Sequence, residues 1–270
     1  MSDSFSLAGQ VAVVTGAVGR LGPIWIEALL EAGAAVAGLD RSGAPQSGAF
    51  ALLRGRVDDT QLRLYECDIT DRVSTESARD RIGVEMGAPT VLVNNAGIDQ
   101  PPDADTSRYR IEDMPLDLFR SMLEVNVVGT FQVTQVFGAA MAANGRGSII
   151  NIGSLYASVS PDQRFYDHFH GDLPFLKVPS YGASKAGVVN MTKFFSTLWG
   201  RHGVRVNTLS PGGVLGAQDA EFRRKYSERV PLGRLAGPAD LKGPLVFLAS
   251  GAASYVTGHE LRVDGGFTAW

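Results

Sequence analysis

Apolar residues fall in short, nearly continuous runs separated by longer amphipathic stretches. The runs are Gln10–Gly16 (QVAVVTG), Ala34–Asp40 (AAVAGLD), Leu62–Asp68 (LRLYECD), Thr90–Asn95 (TVLVNN), Ser148–Ser154 (SIINIGS), Val204–Ser210 (VRVNTLS) and Glu260–Asp264 (ELRVD). Most are rich in Val or Ile, and strands covered on both faces read this way, so a parallel sheet is the natural assignment. Leu21–Ala32, Leu116–Ala143, Tyr181–His202 and Ala239–Leu248 read as helices between them. Alternating β and α elements predict a doubly wound α/β sheet with helices on both faces. Three segments resist this reading. Ser42–Gln61 is a Gly/Ala/Ser-rich connection, Asp99–Asp113 a loop holding Pro101 and Pro102, and Leu155–Ser180 a long stretch broken by Pro161, Pro174 and Pro179. Its Phe165, Tyr166, His168, Phe169 and Phe175 favour packing over disorder.

Composition sharpens the picture at one point. Glycine supplies 32 of 270 residues, where average usage would give about 19. With 44% hydrophobic residues the chain is neither collagen-like nor disordered. No repeat or low-complexity linker divides it, so a single domain spanning 1–270 is expected. Cys67 is the one cysteine, which excludes an internal disulfide framework and suits a reducing, cytoplasmic setting. A net charge of -3 gives no electrostatic reason for a nucleic-acid partner. No apolar stretch approaches a membrane span, and Met1 to Gln10 lacks the regions of a signal peptide.

The first apolar run leads through T-G-A-V-G-R-L-G, Thr15 to Gly22, straight into a helix. Such a turn needs residues without a Cβ, and its N–H groups face a pyrophosphate at the helix N-terminus. Gly16, Gly19 and Gly22 can serve those ends, and Pro23 fits the first helical turn. The second strand ends in Asp40, 24 positions after Gly16. That is near the spacing of an acid that binds adenosine ribose hydroxyls. Alone it reads equally as a solvated strand end; beside the glycine turn the ribose reading is preferred. A carboxylate there repels a 2′-phosphate by about 4 kcal/mol at 4 Å and an effective dielectric of 20. Arg41, next door, could pair with the same phosphate, so NAD is expected and NADP disfavoured.

Tyr181-Gly-Ala-Ser-Lys185 has the Y-x-x-x-K pattern of the short-chain dehydrogenase/reductase family. Asn94-Asn95-Ala96-Gly97, Asn126, Ser154, Pro211-Gly212 and the ending from Val256 to Gly266 follow that family's order. The resemblance covers essentially the whole chain. It implies a Rossmann-like sheet of about seven strands in the order 3-2-1-4-5-6-7. It also implies an NAD(P)-dependent enzyme interconverting a secondary alcohol and a ketone.

The residues support such chemistry directly. Tyr181 and Lys185, four apart on a helix, share one face. A phenol is a poor base at neutral pH, and a nearby ammonium and an oxidised nicotinamide both favour phenolate. Tyr181 can then take the proton of a substrate alcohol as hydride leaves, or donate it in reverse. Ser154 would hydrogen-bond the same substrate oxygen. The resemblance further implies that Lys185 reaches the nicotinamide ribose and that Asn126 holds a water in the proton relay. By the same resemblance, Gly16, Gly19, Arg20 and Leu21 lie at the cofactor turn, and Asp68 and Ile69 flank the adenine. Asn95, Ala96 and Gly97 line the adenosine ribose, and Pro211 and Val214 contact the nicotinamide carboxamide.

Two departures stand out. Arg20 occupies a position where the family usually has glycine, and Gly216 one where it often has threonine. The 155–180 segment is also longer than is common. Anchored between catalytic residues, its Tyr156, Asp162, Gln163, Arg164, Tyr166, Asp167, His168, His170, Asp172 and Lys177 suggest a polar pocket for a sugar, sugar acid or polyol. A surface excursion or subunit contact is the competing reading. His168-x-His170 with Asp167 and Asp172 invites a metal, but hydride transfer through tyrosine needs none, and none is expected. A lid is expected at about 214–235, where the charges of Glu221–Arg229 attract an anionic substrate or form a solvated face. The resemblance also implies a homotetramer, with Phe267 and Trp270 at a subunit contact. A ketoacyl, steroid or aromatic-diol substrate stays open, as does a catalytically silent dinucleotide sensor.

Overall fold

The computed structural model describes residues 3–100, 109–169, 173 and 175–270. Among them the strands are β1 (Val11–Thr15), β2 (Ala35–Asp40), β3 (Leu62–Glu66), β4 (Val91–Asn94), β5 (Gly147–Ile152), β6 (Val204–Pro211) and β7 (Glu260–Val263). They form one parallel sheet in the order β3-β2-β1-β4-β5-β6-β7. The helices are α1 (Gly22–Glu31), α2 (Gly48–Arg54), α3 (Arg72–Glu85), α4 (Leu116–Leu123), α5 (Thr130–Ala143), α6 (Pro179–Trp199), α7 (Ala220–Arg229) and α8 (Pro238–Ala249).

Strand alternation sorts the core into two layers. Ala12 and Val14 of β1 join Val36, Trp25, Leu29, Phe50 and Leu245 on the face covered by α1, α2 and α8. Val11 and Val13 turn the other way, toward Leu39, Ile82, Phe137 and Phe195 under α3, α5 and α6. A third cluster lies beyond the strand ends: Leu155, Phe165, Tyr166 and Phe175 pack with Phe222, Tyr226 and Phe267. The long segment before α6 is thus packed against α7.

The connection before β3 hides a helix. Ser47 caps α2 by accepting the Phe50 N–H, and Phe50 and Leu53, three apart, bury themselves against the first layer. Seven residues with two buried positions are too short for periodicity to reveal. The stretch 116–143 is helical throughout, but Glu124–Gly129 forms a π-helical turn joining α4 to α5. No helix among the described residues is long and apolar enough to cross a membrane.

Candidate active site

The sheet order reverses between β1 and β4, which opens a crevice at their C-terminal ends. Asn95 bridges it: Nδ2 donates to the Thr15 and Gly16 carbonyls at 2.9 and 3.1 Å, and Oδ1 accepts from Trp25 Nε1 at 2.8 Å. Its amide braces the crevice instead of projecting into it. Gly16 has φ +64°, and a Cβ there would stand 2.8 Å from Ala96 Cα. Only glycine lets β1 turn so close to the strand beside it. Gly19 continues the turn, its carbonyl accepting from Ser47 Oγ at 2.8 Å.

Asp40 is aimed at this turn. Its carboxylate accepts the Val18 N–H and its neighbour Arg41 N–H, both at 3.0 Å. Glu66 stands beside it in register at the end of β3. A hollow of about 480 Å3 opens there, lined by Arg41, Ser42, Glu66, Cys67, Asp68 and Ser74. Asp68 lies on its wall, its pKa lowered by the Thr70 N–H and hydroxyl. The Ile69 side chain points instead into the second core layer. A glycine turn, a carboxylate held beside it and a hollow beyond fit an adenine dinucleotide.

The catalytic candidates come from three elements. Ser154 stands two positions after the end of β5, its hydroxyl accepting the Tyr156 N–H at 3.2 Å. Pro179 opens α6, which puts Tyr181 in the first turn and Lys185 one turn later. Lys185 is buried, donating from Nζ to the Ile152 carbonyl at 2.8 Å, with Nζ 5.8 Å from the Tyr181 ring centre. Asn126 lies in the π-helical turn, a feature that recurs at functional sites. Its Oδ1 accepts the Ile98 N–H at 2.8 Å, and its Nδ2 donates to the Ile98 carbonyl and Ser184 Oγ. Gly97 sits against that amide.

The electrostatics modify one expectation. Burial drives the Tyr181 phenol well above its ordinary pKa, with Asp99 adding to the rise and the Ser154 hydroxyl opposing it. Burial also pushes Lys185 down, to about 8. The ammonium does not favour phenolate enough to overcome desolvation, so the protein alone holds Tyr181 as a neutral phenol.

The two departures from the family pattern explain each other. Arg20 reaches across the crevice and donates to the Val214 carbonyl. A Cβ on Gly216 would lie 2.4 Å from the guanidinium, which takes the space a threonine side chain would need. Pro211 ends β6, and Val214, which supplies this carbonyl, follows three positions later.

Much of the 155–180 segment is accounted for elsewhere. Arg164 pairs with Asp162 on the surface, His168 Nε2 meets Asp219 Oδ1 at 3.0 Å, and Asp167 pairs with Lys225. The last two tie the segment to α7 and its cap. His170 and Asp172, like Pro101, Pro102 and Pro174, lie outside the described residues. Among the described residues no group of three His, Cys, Asp or Glu could hold a metal ion. Arg224 is spent on Glu221 and Glu228, so that part of the charge run is a solvated face. Phe267 is buried in its own chain, its ring stacked on Tyr226 at 5.1 Å, which corrects its placement at a subunit contact. Trp270 is exposed. Sequence reasoning missed the partnership of Asp99 with Lys177, whose Nζ stands 5.6 Å from the Tyr181 ring centre. The two are 78 positions apart and carry no shared local signal.

A family profile described as enoyl-(acyl carrier protein) reductase matches residues 25–268. D-threitol dehydrogenase of Mycolicibacterium smegmatis is 35% identical over 269 residues, covering 98% of this chain and 95% of its own. The chain belongs to the short-chain dehydrogenase/reductase family. Among solved structures, a gluconate 5-dehydrogenase from Burkholderia cenocepacia in complex with NADP and tartrate aligns with TM-score 0.84 and 31% identity, covering 99% of this chain and 98% of that one. A short-chain dehydrogenase from Leptospira borgpetersenii with bound NAD+ aligns at 0.83 and 30%, covering 99% and 96%. This short-chain dehydrogenase/reductase is therefore an oxidoreductase acting on CH–OH groups with a nicotinamide dinucleotide cofactor.

Proposed function

We propose that the protein is an NAD-dependent dehydrogenase of secondary alcohols whose substrate is a polyhydroxylated sugar derivative or polyol. The observation that carries this is the meeting of Ser154, Tyr181, Lys185 and Asn126 at the end of β5, across the crevice from the glycine turn and Asp40. Relatives named for threitol and gluconate support the substrate class.

Gly16, Gly19, Arg20 and Leu21 would hold the pyrophosphate, Asp40 the adenosine ribose, and Asp68 with the Ile69 backbone the adenine. Ala96 and Gly97 would lie along the cofactor, Lys185 at the second ribose, and Pro211 with Val214 at the carboxamide. The bound nicotinamide would supply the hydride acceptor or donor. Ser154 donates a hydrogen bond to the reacting oxygen and orients it. Tyr181 takes or returns the proton at its phenolic oxygen, and Lys185 provides the positive charge that makes phenolate accessible once the site is filled. Asn126, bonded to both polar groups of Ile98, keeps the π-helical turn against the loop after β4, where a relay water would be held. Asp40 and Glu66, two carboxylates side by side, favour NAD over NADP because a 2′-phosphate would add a third negative charge.

Reduced-nicotinamide absorbance with D-threitol, galactitol and D-gluconate tests this, using NAD and NADP in parallel. Turnover is expected with NAD and a polyhydroxylated alcohol, and Tyr181→Phe is expected to lower kcat by at least about 100-fold while leaving NAD bound. Turnover confined to ketoacyl or steroid substrates would overturn the substrate class; equal turnover by Tyr181→Phe would overturn the role of the phenol.

A further inference from the structure

Lys177 is a buried cation beside the active site that the proton chemistry does not use. Its side chain is 4% exposed and all its donors are engaged. Nζ donates to Asp99 Oδ1 at 2.7 Å, Asp99 Oδ2 at 2.8 Å and the Gln100 carbonyl at 2.6 Å. The backbones on either side are fastened too. Val178 N donates to Gln100 Oε1 at 2.9 Å, and Lys177 N donates to Gln163 Oε1 at 3.1 Å. The stretch following β4 and the stretch entering α6 are thereby joined next to Tyr181.

The pair is not symmetrical. The ammonium has three N–H groups, and they point at Asp99 and Gln100. The carboxylate has about four acceptor sites, and its side chain is 45% exposed. The pair is neutral as a whole, and what it turns outward is its acceptor side, the negative end of its dipole. Geometry places it by the phenol: Lys177 Nζ, 2.7 Å from Asp99 Oδ1, stands 5.6 Å from the Tyr181 ring centre, and Asp99 adds to the raised pKa of Tyr181. Tyr156 stands edge-on to Tyr181 with ring centres 6.5 Å apart. Asp99 thus lies one ammonium away from the Tyr181 ring, with 45% of its side chain exposed.

We propose that Asp99, held by the positioning residue Lys177, accepts a hydrogen bond from a second hydroxyl of the substrate and selects neutral polyols over sugar acids. A polyol can donate to a carboxylate at every carbon. A sugar acid brings its own carboxylate, which cannot donate and is repelled, and the buried ammonium beneath has no donor left to receive it. The inference rests on the proposed role of Tyr181 and narrows the substrate class left open there.

Steady-state kinetics on D-threitol, galactitol and D-gluconate would be compared for wild type, Asp99→Asn and the double variant Asp99→Ala/Lys177→Met, with NAD affinity as a control. Wild type is expected to prefer the polyols. Asp99→Asn should lose about tenfold or more in kcat/KM on the polyols, through KM, while D-gluconate holds or improves. The double variant removes both charges of the pair together, so it remains testable where a lone buried ammonium would unfold the protein. It should show the polyol loss without a gluconate gain. An unchanged ratio of polyol to gluconate in both variants, or a wild type that prefers gluconate, overturns the selection by Asp99 alone. A wild type that binds NAD and oxidises neither class removes the reading of the site and this inference with it.

Discussion

At the scale of single residues, the site is built from groups whose pKa values burial moves away from their ordinary ones. Lys185 is buried and its pKa falls from 10.5 to about 8. Below pH 8 both folded and unfolded chains carry this proton, and the full cost of the buried charge remains. Between about 8 and 10.5 the folded protein has released the proton and the unfolded chain still holds it, so stability rises with pH. The stability of wild type relative to Lys185→Met should rise by roughly 2 kcal/mol or more from pH 8 to pH 10, read by urea unfolding. A constant difference would mean that the ammonium is solvated. Tyr181 works in the opposite sense: its raised pKa contributes stability below about pH 10 that is lost at higher pH. Tyr181 and Lys185 could be nominated from the sequence because they share one short local motif, and Ser154 because its place along the chain resembles the family's order. That burial outweighs the ammonium at Tyr181 was not legible there, since desolvation depends on what folds over the phenol.

At the scale of elements, connections carry the departures from the family pattern. Arg20, in the turn between β1 and α1, and Gly216, between β6 and α7, are each unusual alone and consistent together. A threonine at 216 would displace the guanidinium from the Val214 carbonyl. Gly216→Thr is therefore expected to weaken NAD binding about threefold to tenfold, a cost of the size of one hydrogen bond. Arg20→Gly/Gly216→Thr should recover most of that loss, because the side chain at 216 then has room. Calorimetric NAD titration of both variants checks this; additive losses would show that the two positions are independent. The other surprises are of the same kind. The α2 helix was missed because only Phe50 and Leu53 mark it, and the π-helical turn at Asn126 is invisible to a helical period that continues on both sides. Tyr226 of α7, whose hydroxyl accepts the Gly213 N–H at 2.6 Å, ties that helix to the end of β6.

At the scale of the molecule, one surface stands apart. Val128, Phe131, Phe194 and Leu198 are 40–59% exposed along α5, α6 and the π-helical turn. Phe131 and Phe194 both pack on Phe195, so the residues adjoin. Contiguous exposed apolar side chains mark interaction surfaces, and here a second copy of the chain is the proposed occupant, within a homotetramer. Sedimentation should show an oligomer for wild type and a smaller species for Phe194→Glu/Leu198→Glu with its far-UV dichroism intact. A monomeric wild type would refute the assembly. The buried positions of Phe267 and of the 155–180 aromatics belong to this scale too: they close a third core over the strand ends, which a linear pattern of hydrophobic residues cannot assign to one partner or another.

The glycine turn, the buried strand runs and the Tyr-x-x-x-Lys spacing were enough to read the parallel sheet and to nominate its cofactor end and a proton-carrying pair. Each is a local pattern, imposed by backbone sterics or by the helical repeat over a few positions. Contacts between distant positions were beyond such patterns. Asp99 meets Lys177, Arg20 meets Val214, and Asn95 reaches back to Gly16. These depend on which strand ends the sheet order brings together. Their strength depends on how far the surrounding packing removes water, and neither is encoded in the spacing of residues along the chain.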